Sequence, residues 1–323
     1  MKLAILDDWF DTLRSLPCFG KLQGIDTTVF TDHLDDTAQL VERLRPFDAV
    51  VLFRERTAMP AAVLDHLPRL KLISQRSVYP HVDVDACSRN GILLCSNMHA
   101  GTPSFAAAEH TWALILAAMR QIPQQMIHMQ TGGWQMGVGK TLHGRTLGLY
   151  GYGRIAKTVE CYAQAFGMNV IWWGSDNGRA RAMADGKTVA ENRPAFFNQP
   201  DVISVHVRLK PTTKGIITAD DFSHMRSDAL FVNTSRAGLI EPGAMLAALN
   251  AGCPGQAALD VFDHEPITHP NDPLLTHPNV VCTPHIGFVT EDEFELQFAD
   301  IFDQVVAFRA GQPINVINPK VLG

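Results

Sequence analysis

The stretch from residue 146 to residue 176 constrains the fold of this chain more than any other part of its sequence. A short apolar run ends at the turn Gly151-Tyr152-Gly153, a helical pattern follows at once, and a second β-like run ends at residues 174–176. Strand, glycine turn, helix and strand form a βαβ unit whose glycine spacing is that of a dinucleotide-binding turn. Gly151 permits the tight turn, Gly153 lets the backbone approach a pyrophosphate, and the helix start offers N–H groups to that anion. The alternative is a glycine turn in an unrelated α/β domain.

The bulk properties of the chain narrow its class. Its 323 residues exceed the usual size of one domain and therefore predict two. The net charge of -6 argues against nucleic acid as a partner, and no apolar run reaches the roughly 20 residues that span a bilayer. The N-terminus lacks the pattern of a signal peptide. The six cysteines form no CxxC pair and the 13 histidines no HExxH motif, so we predict a cytoplasmic protein without disulfides or a metal site.

The first hundred residues alternate strand-like and helix-like segments. Strands are predicted at residues 2–6, 28–30, 49–53, 70–75 and 92–95, and helices at residues 37–44, 61–67 and 84–90. Strands that alternate with helices over short loops indicate a parallel sheet with helices on both faces. This first α/β domain has no phosphate-binding turn after its first strand.

The pattern changes at residue 102. Residues 102–122 are predicted to form one long helix that is apolar almost all round and therefore buried, and a glycine-rich linker leads from it to the βαβ unit. Further strands are predicted at residues 201–207, 229–233, 257–261 and 280–283, with helices within 216–225 and at 242–250. The total of six parallel strands makes one complete doubly wound domain.

The C-terminal segment is predicted to return to the first domain. A last amphipathic helix covers residues 290–310, and the tail after it has no strand to add to the second sheet. Residues 1–100 and 286–323 then form a discontinuous substrate domain, and residues 101–285 form the nucleotide-binding domain. We expect a ligand cleft between these two domains, at the carboxyl ends of their strands.

Three polar residues follow strands of the second domain. Arg236, Glu265 and His285 each come a few residues after an apolar, strand-like run. Because the carboxyl ends of parallel strands meet at one edge of a sheet, we expect these side chains where a bound nucleotide would present its reactive ring. Each residue alone has an ordinary explanation, as a surface arginine, a capping glutamate or a loop histidine. Their shared placement favours a functional role.

The segments GYGRIA, NTSRAGLI, LDVFDHEP and TPHIG resemble those of the D-isomer-specific 2-hydroxyacid dehydrogenases, in the order and spacing of that family. Weaker similarity extends through the N-terminal domain, notably at residues 70–97, so the resemblance covers nearly the whole chain. It implies a Rossmann-type nucleotide domain and a flavodoxin-like, discontinuous substrate domain. It also implies transfer of a hydride between NAD(P)H and C2 of a small 2-oxo or 2-hydroxy acid of the D series.

The resemblance also implies roles for individual residues. Arg236 matches the arginine that holds and polarises the substrate, and its planar, permanent charge suits a 2-oxo acid. His285 matches the acid/base histidine, and Glu265 matches the carboxylate that orients this histidine and favours its charged form. The positions that match cofactor contacts are Gly151, Tyr152, Gly153, Arg154 and Ile155 in the pyrophosphate turn, His206, Val207 and Thr234 at strand ends, and Asp260 at the nicotinamide carboxamide.

Two departures from the family pattern concern ligand choice. NAD-using members usually end the second strand of this domain in an acid that binds the ribose, but Gly174 stands at that position here. Ser175, with Arg179 or Arg181, would suit a 2′-phosphate, whereas Asp176 would restore a ribose contact. The choice between NAD and NADP therefore stays open.

The other departure lies in the predicted substrate loop. The family usually has a glycine-rich turn there that binds the substrate carboxylate, whereas this chain has RSVYP at residues 76–80. The backbone N–H groups of Ser77 and Val78 are the predicted donors. Arg54 is a further candidate for binding an anionic substrate, although a surface ion pair explains it equally well.

Two further expectations come from the resemblance. Family members usually form homodimers through the nucleotide domain, so we expect a homodimer. The second is an alternative function, since related corepressors use the same scaffold as NADH-sensing binding proteins with little turnover. The complete set of Arg236, Glu265 and His285 disfavours that alternative.

Overall fold

The computed structural model describes residues 1–98, 104–267 and 269–323. The chain divides into two compact units, one made of Met1–Pro103 with Val289–Gly323 and the other of Ser104–Phe288. The predicted boundary between residues 100 and 101, and the first residues of the helix predicted from residue 102, lie outside the described residues.

A five-stranded parallel sheet forms the centre of the first unit. Its strands are β1 (Lys2–Ile5), β2 (Asp26–Val29), β3 (Ala49–Val51), β4 (Leu72–Arg76) and β5 (Leu93–Asn97), in the spatial order β2-β1-β3-β4-β5. The connecting helices are α1 (Thr37–Leu44), α2 (Ala61–Leu64) and α3 (Val84–Arg89). This strand order is that of flavodoxin-like folds, with a topological switch point between β1 and β3.

The second unit contains a six-stranded parallel sheet. It begins with helices α4 (Ala106–Met119) and α5 (Ile122–Gln130), and its strands are β6 (Thr146–Tyr150), β7 (Asn169–Trp173), β8 (Val202–Val205), β9 (Leu230–Asn233), β10 (Gln256–Leu259) and β11 (Val280–Cys282). The connecting helices are α6 (Arg154–Ala165), α7 (Asp176–Ala184), α8 (Arg193–Asn198), α9 (Ala219–Ser223) and α10 (Ala244–Ala251). The order β11-β10-β9-β8-β6-β7 reverses between β6 and β8, where open α/β sheets bind their ligands.

The last helix, α11 (Glu291–Arg309), packs against the sheet of the first unit. Gln304 donates hydrogen bonds to Ser74 Oγ and to the carbonyl oxygen of Gln75, each at 2.9 Å. The ring of Phe298 lies 4.8 Å from that of Phe53. The C-terminal segment therefore belongs to the core of the first unit.

The strands are largely apolar because helices cover both faces of each sheet. In the second unit, Ile115 of α4 and Val159 of α6 are fully buried on one face, and Phe196 of α8 and Phe222 of α9 are fully buried in the core of the other face. None of the helices in the described part of the chain combines the length and the apolar character that a membrane span requires.

The predicted fold class, two doubly wound parallel-sheet domains, is confirmed, as are the six strands of the second unit. The single helix predicted over residues 102–122 is wrong, because α4 ends at Met119 and α5 begins at Ile122. Gln121, between them, has a φ of +55°, and Pro123 in the first turn of α5 lacks the N–H that would continue α4. The helices α7 and α8 were not predicted, and the polar α7 carries no apolar stripe.

Candidate active site

The turn after β6 brings Gly151 against the end of β8. Gly151 has a φ of +111°, and a Cβ atom there would lie 2.5 Å from the carbonyl oxygen of His206, so the position requires glycine. A Cβ atom on Gly153 would meet no atom beyond its chain neighbours within 4 Å. Gly153 is the N-cap of α6, whose first N–H groups have no acceptor within the helix. The turn therefore has an open face with hydrogen-bond donors that suits an anion such as pyrophosphate.

The side chains of this turn point into different surroundings. The ring of Tyr152 is buried, and its hydroxyl donates to Asp185. The ammonium of Lys157 also donates to Asp185, at 2.9 Å, and lies 4.2 Å from the centroid of the Tyr152 ring. Arg154 is exposed at the first position of α6, and Ile155 packs against the apolar core. Tyr152 and Ile155 thus support the turn, and Arg154 presents a positive charge beside it.

The end of β7 lies against the same turn. Gly174 has a φ of +152°, and a Cβ atom there would lie 3.5 Å from Cα of Gly151. The guanidinium of Arg179 lies 4.2 Å from the ring centroid of Trp173 and donates to the carbonyl oxygen of Gly174 at 3.2 Å. Its Nη2 lies 2.5 Å from the exposed carboxylate of Asp176. One arginine therefore lies at the end of β7, paired with the acid that follows.

Two further residues complete this edge. Ser175 caps α7, because its hydroxyl accepts a hydrogen bond from Gly178 N at 3.2 Å. Arg181 donates to the carbonyl oxygen of Tyr152 at 3.2 Å. Of the residues predicted for a 2′-phosphate, both arginines thus lie near the glycine turn, whereas the Ser175 hydroxyl already has a structural partner.

His206 and Val207 follow β8 and border the turn. The imidazole Nε2 of His206 lies 2.9 Å from Ser204 Oγ, and burial lowers the pKa of His206, which keeps the ring neutral. A Cβ atom on Gly151 would lie 3.0 Å from Cγ2 of Val207. Both predicted cofactor residues therefore lie at the switch point between β6 and β8.

Arg236 lies in a loop that a buried asparagine fixes. Asn233, at the end of β9, donates to the carbonyl oxygen of Arg236 and accepts from the Ser235 N–H, each at 3.0 Å. The hydroxyl of Thr234 lies 2.7 Å from that of Thr111 on α4. The Arg236 backbone is therefore held on both sides, and its guanidinium donates to the Ser235 carbonyl oxygen at 2.7 Å.

Glu265 and His285 form a hydrogen-bonded pair. Oε2 of Glu265 lies 2.5 Å from Nδ1 of His285, and Oε1 accepts from the Phe262 N–H at 2.8 Å. Because a carboxylate only accepts, Nδ1 carries the proton. The Nε2 atom of His285 has no hydrogen-bond partner among the described residues and therefore stays available to exchange a proton with a ligand.

Asp260 is fully buried and receives four hydrogen bonds. Its Oδ1 accepts from His110 Nε2 at 3.1 Å, from Thr283 Oγ1 at 2.6 Å and from the Ile286 N–H at 2.9 Å, and its Oδ2 accepts from the Gly287 N–H at 2.9 Å. Burial alone would raise the pKa of Asp260, but the bonds from His110 and Thr283, with the backbone bond from Ile286, outweigh it and hold the pKa below its ordinary value. The carboxylate predicted to contact nicotinamide thus also anchors the loop that carries His285.

His110 is the polar residue at this site that the sequence interpretation missed. It lies on α4, within the segment predicted to be apolar almost all round and buried. The cluster Glu109-His110-Thr111 at the start of a mostly apolar helix is the local signal that indicated polar partners.

Arg54 and the predicted substrate loop, with Ser77 and Val78, belong to the first unit. Arg54 has a φ of +60°, and its Nη1 lies 3.5 Å from Oε1 of Gln297. Ser77 has a φ of +79°, and its N–H already donates to the carbonyl oxygen of Asn97 at 3.0 Å. Of the two predicted backbone donors, Val78 is the one whose N–H has no partner among the described residues. In the described part of the chain, no group of three or more His, Cys, Asp or Glu side chains could hold a metal ion.

Comparisons with known proteins agree with this geometry. Residues 112–287 match the family model described as "D-isomer specific 2-hydroxyacid dehydrogenase, NAD binding domain". The chain is 34% identical to the glyoxylate reductase of Aeropyrum pernix over 88% of its own length and 86% of that protein. It is 35% identical to the D-3-phosphoglycerate dehydrogenase of Methanocaldococcus jannaschii over 87% of its own length, but it spans only 53% of that relative.

A solved structure supports the fold across the whole chain. The putative D-3-phosphoglycerate dehydrogenase oxidoreductase from Ralstonia solanacearum has a TM-score of 0.95 and 43% sequence identity, with 100% of this chain and 98% of that chain covered. The names of these relatives are those of dehydrogenases and reductases, and none of them supports the NADH-sensing alternative.

The two glycines of the turn provide a test of dinucleotide binding. We expect Gly151→Ala to lower both thermal stability and NADH affinity, because its Cβ would meet the His206 carbonyl oxygen. Gly153→Ala should leave the melting temperature unchanged but weaken NADH binding at least about tenfold, since its Cβ would occupy the space of the anion. Thermal unfolding and fluorescence titration with NADH measure the two effects. Unchanged NADH affinity in Gly153→Ala would contradict the assignment.

Proposed function

Because the chain belongs to the D-isomer-specific 2-hydroxyacid dehydrogenase family, we propose that it is an oxidoreductase that transfers a hydride between NAD(P)H and C2 of a small 2-oxo or 2-hydroxy acid. The observation that carries this proposal is the Glu265–His285 hydrogen bond, which leaves one imidazole nitrogen available for proton transfer. The chain spans about half the length of the Methanocaldococcus jannaschii D-3-phosphoglycerate dehydrogenase, and most of the length of the Aeropyrum pernix glyoxylate reductase.

The residues of the second unit fit a nicotinamide dinucleotide. Gly153 leaves open space before the first N–H groups of α6, and Arg154 adds a positive charge there, which together suit a pyrophosphate. Thr234, His206 and Val207 would line the rest of the cofactor. When bound, the nicotinamide would supply or accept the hydride.

The protein's own side chains would bind the substrate and move the proton. Arg236 would hold the substrate carboxylate and carbonyl oxygen, because a guanidinium forms two parallel hydrogen bonds to such groups. In reduction, His285 Nε2 would donate a proton to the carbonyl oxygen; in oxidation, it would accept the hydroxyl proton. Glu265 would keep the Nδ1 proton in place and stabilise the imidazolium.

We assign cofactor binding to the second unit and a share of substrate binding to the first. In the first unit, the Val78 N–H and the Arg54 side chain are the groups proposed to bind an anionic substrate. The relatives differ in whether their named substrates carry a phosphate, so a panel of 2-oxo acids with and without a terminal phosphate is the appropriate assay. A cytoplasmic location stays a prediction from the sequence.

Replacement of His285 tests the proposed chemistry. We expect His285→Ala to lower kcat for 2-oxo acid reduction about 10²- to 10⁴-fold, because the variant loses the proposed proton donor. NADH affinity should change less than about twofold, since the imidazole serves proton transfer and not cofactor binding. Absorbance kinetics and NADH fluorescence measure the two quantities, and His224→Ala, in the same unit, is the control. Parallel loss of turnover and of NADH binding would argue against the acid/base role.

We further propose that the site accepts NADPH as well as NADH, with Arg179 as the contact to the 2′-phosphate. Arg179→Ala should raise the KM for NADPH about tenfold more than that for NADH, because a charge-assisted bond is lost. Asp176→Asn should shift the preference towards NADPH. It removes the carboxylate that lies 2.5 Å from Arg179, so the guanidinium can bind the 2′-phosphate instead. Steady-state kinetics with both cofactors measure this, with the exposed Lys214→Ala as a charge control. Equal effects of Arg179→Ala on both cofactors would refute the assignment.

A homodimer is also proposed, and an uncharged surface of the second unit supports it. Residues 121–139 contain no Asp, Glu, Lys or Arg, although Ile127, Trp134 and Val138 are 61%, 77% and 91% exposed. We expect the protein to elute as a dimer, and Trp134→Asp with Val138→Asp to yield monomers, because two charges would then be buried in the interface. Light scattering after size exclusion measures the mass. The control is Met183→Asp on α7, and a monomeric wild-type protein would contradict the proposal.

A further inference from the structure

We propose that His110 is a positioning residue for His285, and that it acts through the buried carboxylate of Asp260 and the hydroxyl of Thr283. This inference rests on the acid/base role proposed above for His285. His110 lies on α4, the first helix of the second unit, and outside the four family-like motifs. The proposal therefore gives this helix a part in the chemistry.

The hydrogen bonds define the direction in which His110 acts. Asp260 accepts from His110 at 3.1 Å and from Thr283 at 2.6 Å, and His110 Nε2 lies 3.0 Å from Thr283 Oγ1. A carboxylate can only accept, and the Thr283 hydroxyl proton is already used on Asp260, so Nε2 must carry a proton. The Nε2–H of His110 is therefore shared between Asp260, which follows β10, and Thr283, which follows β11.

The same carboxylate holds the two residues that follow His285. The N–H groups of Ile286 and Gly287 each donate to Asp260 at 2.9 Å. His285 itself has a φ of +54°, a left-handed conformation that costs a residue other than glycine about 1–3 kcal/mol and needs support from its surroundings. The bonds to Asp260 provide that support directly after the strained residue.

The imidazole of His110 also packs directly against this loop. A Cβ atom on Gly287 would lie 3.0 Å from Asp260 Oδ2 and 3.6 Å from Cδ2 of His110. Asp260 has no exposed surface, so its carboxylate depends on these protein donors and not on bulk water. Loss of the His110 N–H would therefore leave Asp260 under-bonded, and we expect the carboxylate and the two backbone groups attached to it to shift.

The neighbouring residue on α4 holds the other loop of the site. Thr111 Oγ1 lies 2.7 Å from Thr234 Oγ1, two residues before Arg236. Consecutive positions of one buried helix thus contact the loop of the proposed proton donor and the loop of the proposed substrate-binding arginine. The long apolar face of α4 gives both contacts a rigid base.

The test compares His110→Leu with His110→Gln. Leucine removes the donor, whereas the glutamine amide can still donate to Asp260. We expect His110→Leu to lower kcat about 10- to 100-fold with little change in the KM for NADH, because displacement of a reacting group by about 1 Å has effects of this size. His110→Gln should recover most of the lost kcat. The controls are His224→Leu and His224→Gln. His224 is also a histidine beside a carboxylate, because its Nε2 lies 3.7 Å from Oδ2 of Asp220.

Each kcat is expressed per NADH-binding site, counted by fluorescence titration, so that unfolded protein does not contribute. Thr283→Val provides a second variant, which removes one donor to Asp260 and should lower kcat in the same direction. Unchanged kcat per site in His110→Leu, or equal loss in the leucine and glutamine variants, would overturn the inference. If His285→Ala also retained turnover, the proposed function itself would fail. Loss in His285→Ala with no loss in His110→Leu would refute the role of His110 alone.

Discussion

The parallel arrangement of the second sheet is the constraint on which the candidate site depends. All six strands run in one direction, so the loops after them leave at the same edge. Helices bury both faces of this sheet, and polar groups therefore collect where the strands end. This arrangement brings the glycine turn, Arg236, Glu265 and His285 to one edge, although they lie far apart in the sequence. Strand direction therefore determines which residues can meet at the candidate site, and the individual side chains determine what they can do there.

Strand direction also explains why much of the site could be predicted from the sequence. An apolar run that ends in glycine or polar residues marks the end of a strand. Each of the loops that carry Gly151, Arg236, Glu265 and His285 is a single continuous segment of sequence that follows such a run. Their structure is local, because each loop is short and begins at a buried strand. Glu265 and His285 come from different loops, and the sequence order alone could not predict the 2.5 Å contact between them. The family resemblance implied that pairing, and the structure gives its geometry.

The rest of the site depends on contacts between distant elements, which leave little trace in the local pattern. His110 and Asp260 are 150 residues apart, and α4 carries the apolar composition of any buried helix. Arg179 and Asp176 are close in sequence, yet their pairing depends on the helix α7. The polar sequence of α7 has no apolar stripe that would have predicted a helix there. The break at Gln121 arises from one left-handed residue, and Pro123, two positions later, was the signal available for it.

The first unit illustrates how a loop can hold a left-handed backbone at a residue other than glycine. Ser77 has a φ of +79°, which costs a residue with a side chain about 1–3 kcal/mol. Its N–H donates to the Asn97 carbonyl oxygen at 3.0 Å, and its own carbonyl oxygen accepts from the buried Gln75 side chain at 2.9 Å. Each of these bonds contributes about 1 kcal/mol, so together they offset much of the strain. The turn therefore keeps its conformation, and the Val78 N–H has no partner among the described residues. His285 follows the same rule, because a buried carboxylate holds its left-handed backbone. In both loops, hydrogen bonds from buried polar neighbours stabilise a left-handed backbone that glycine would adopt without strain. The geometry of the candidate site therefore depends partly on residues that need not contact a ligand.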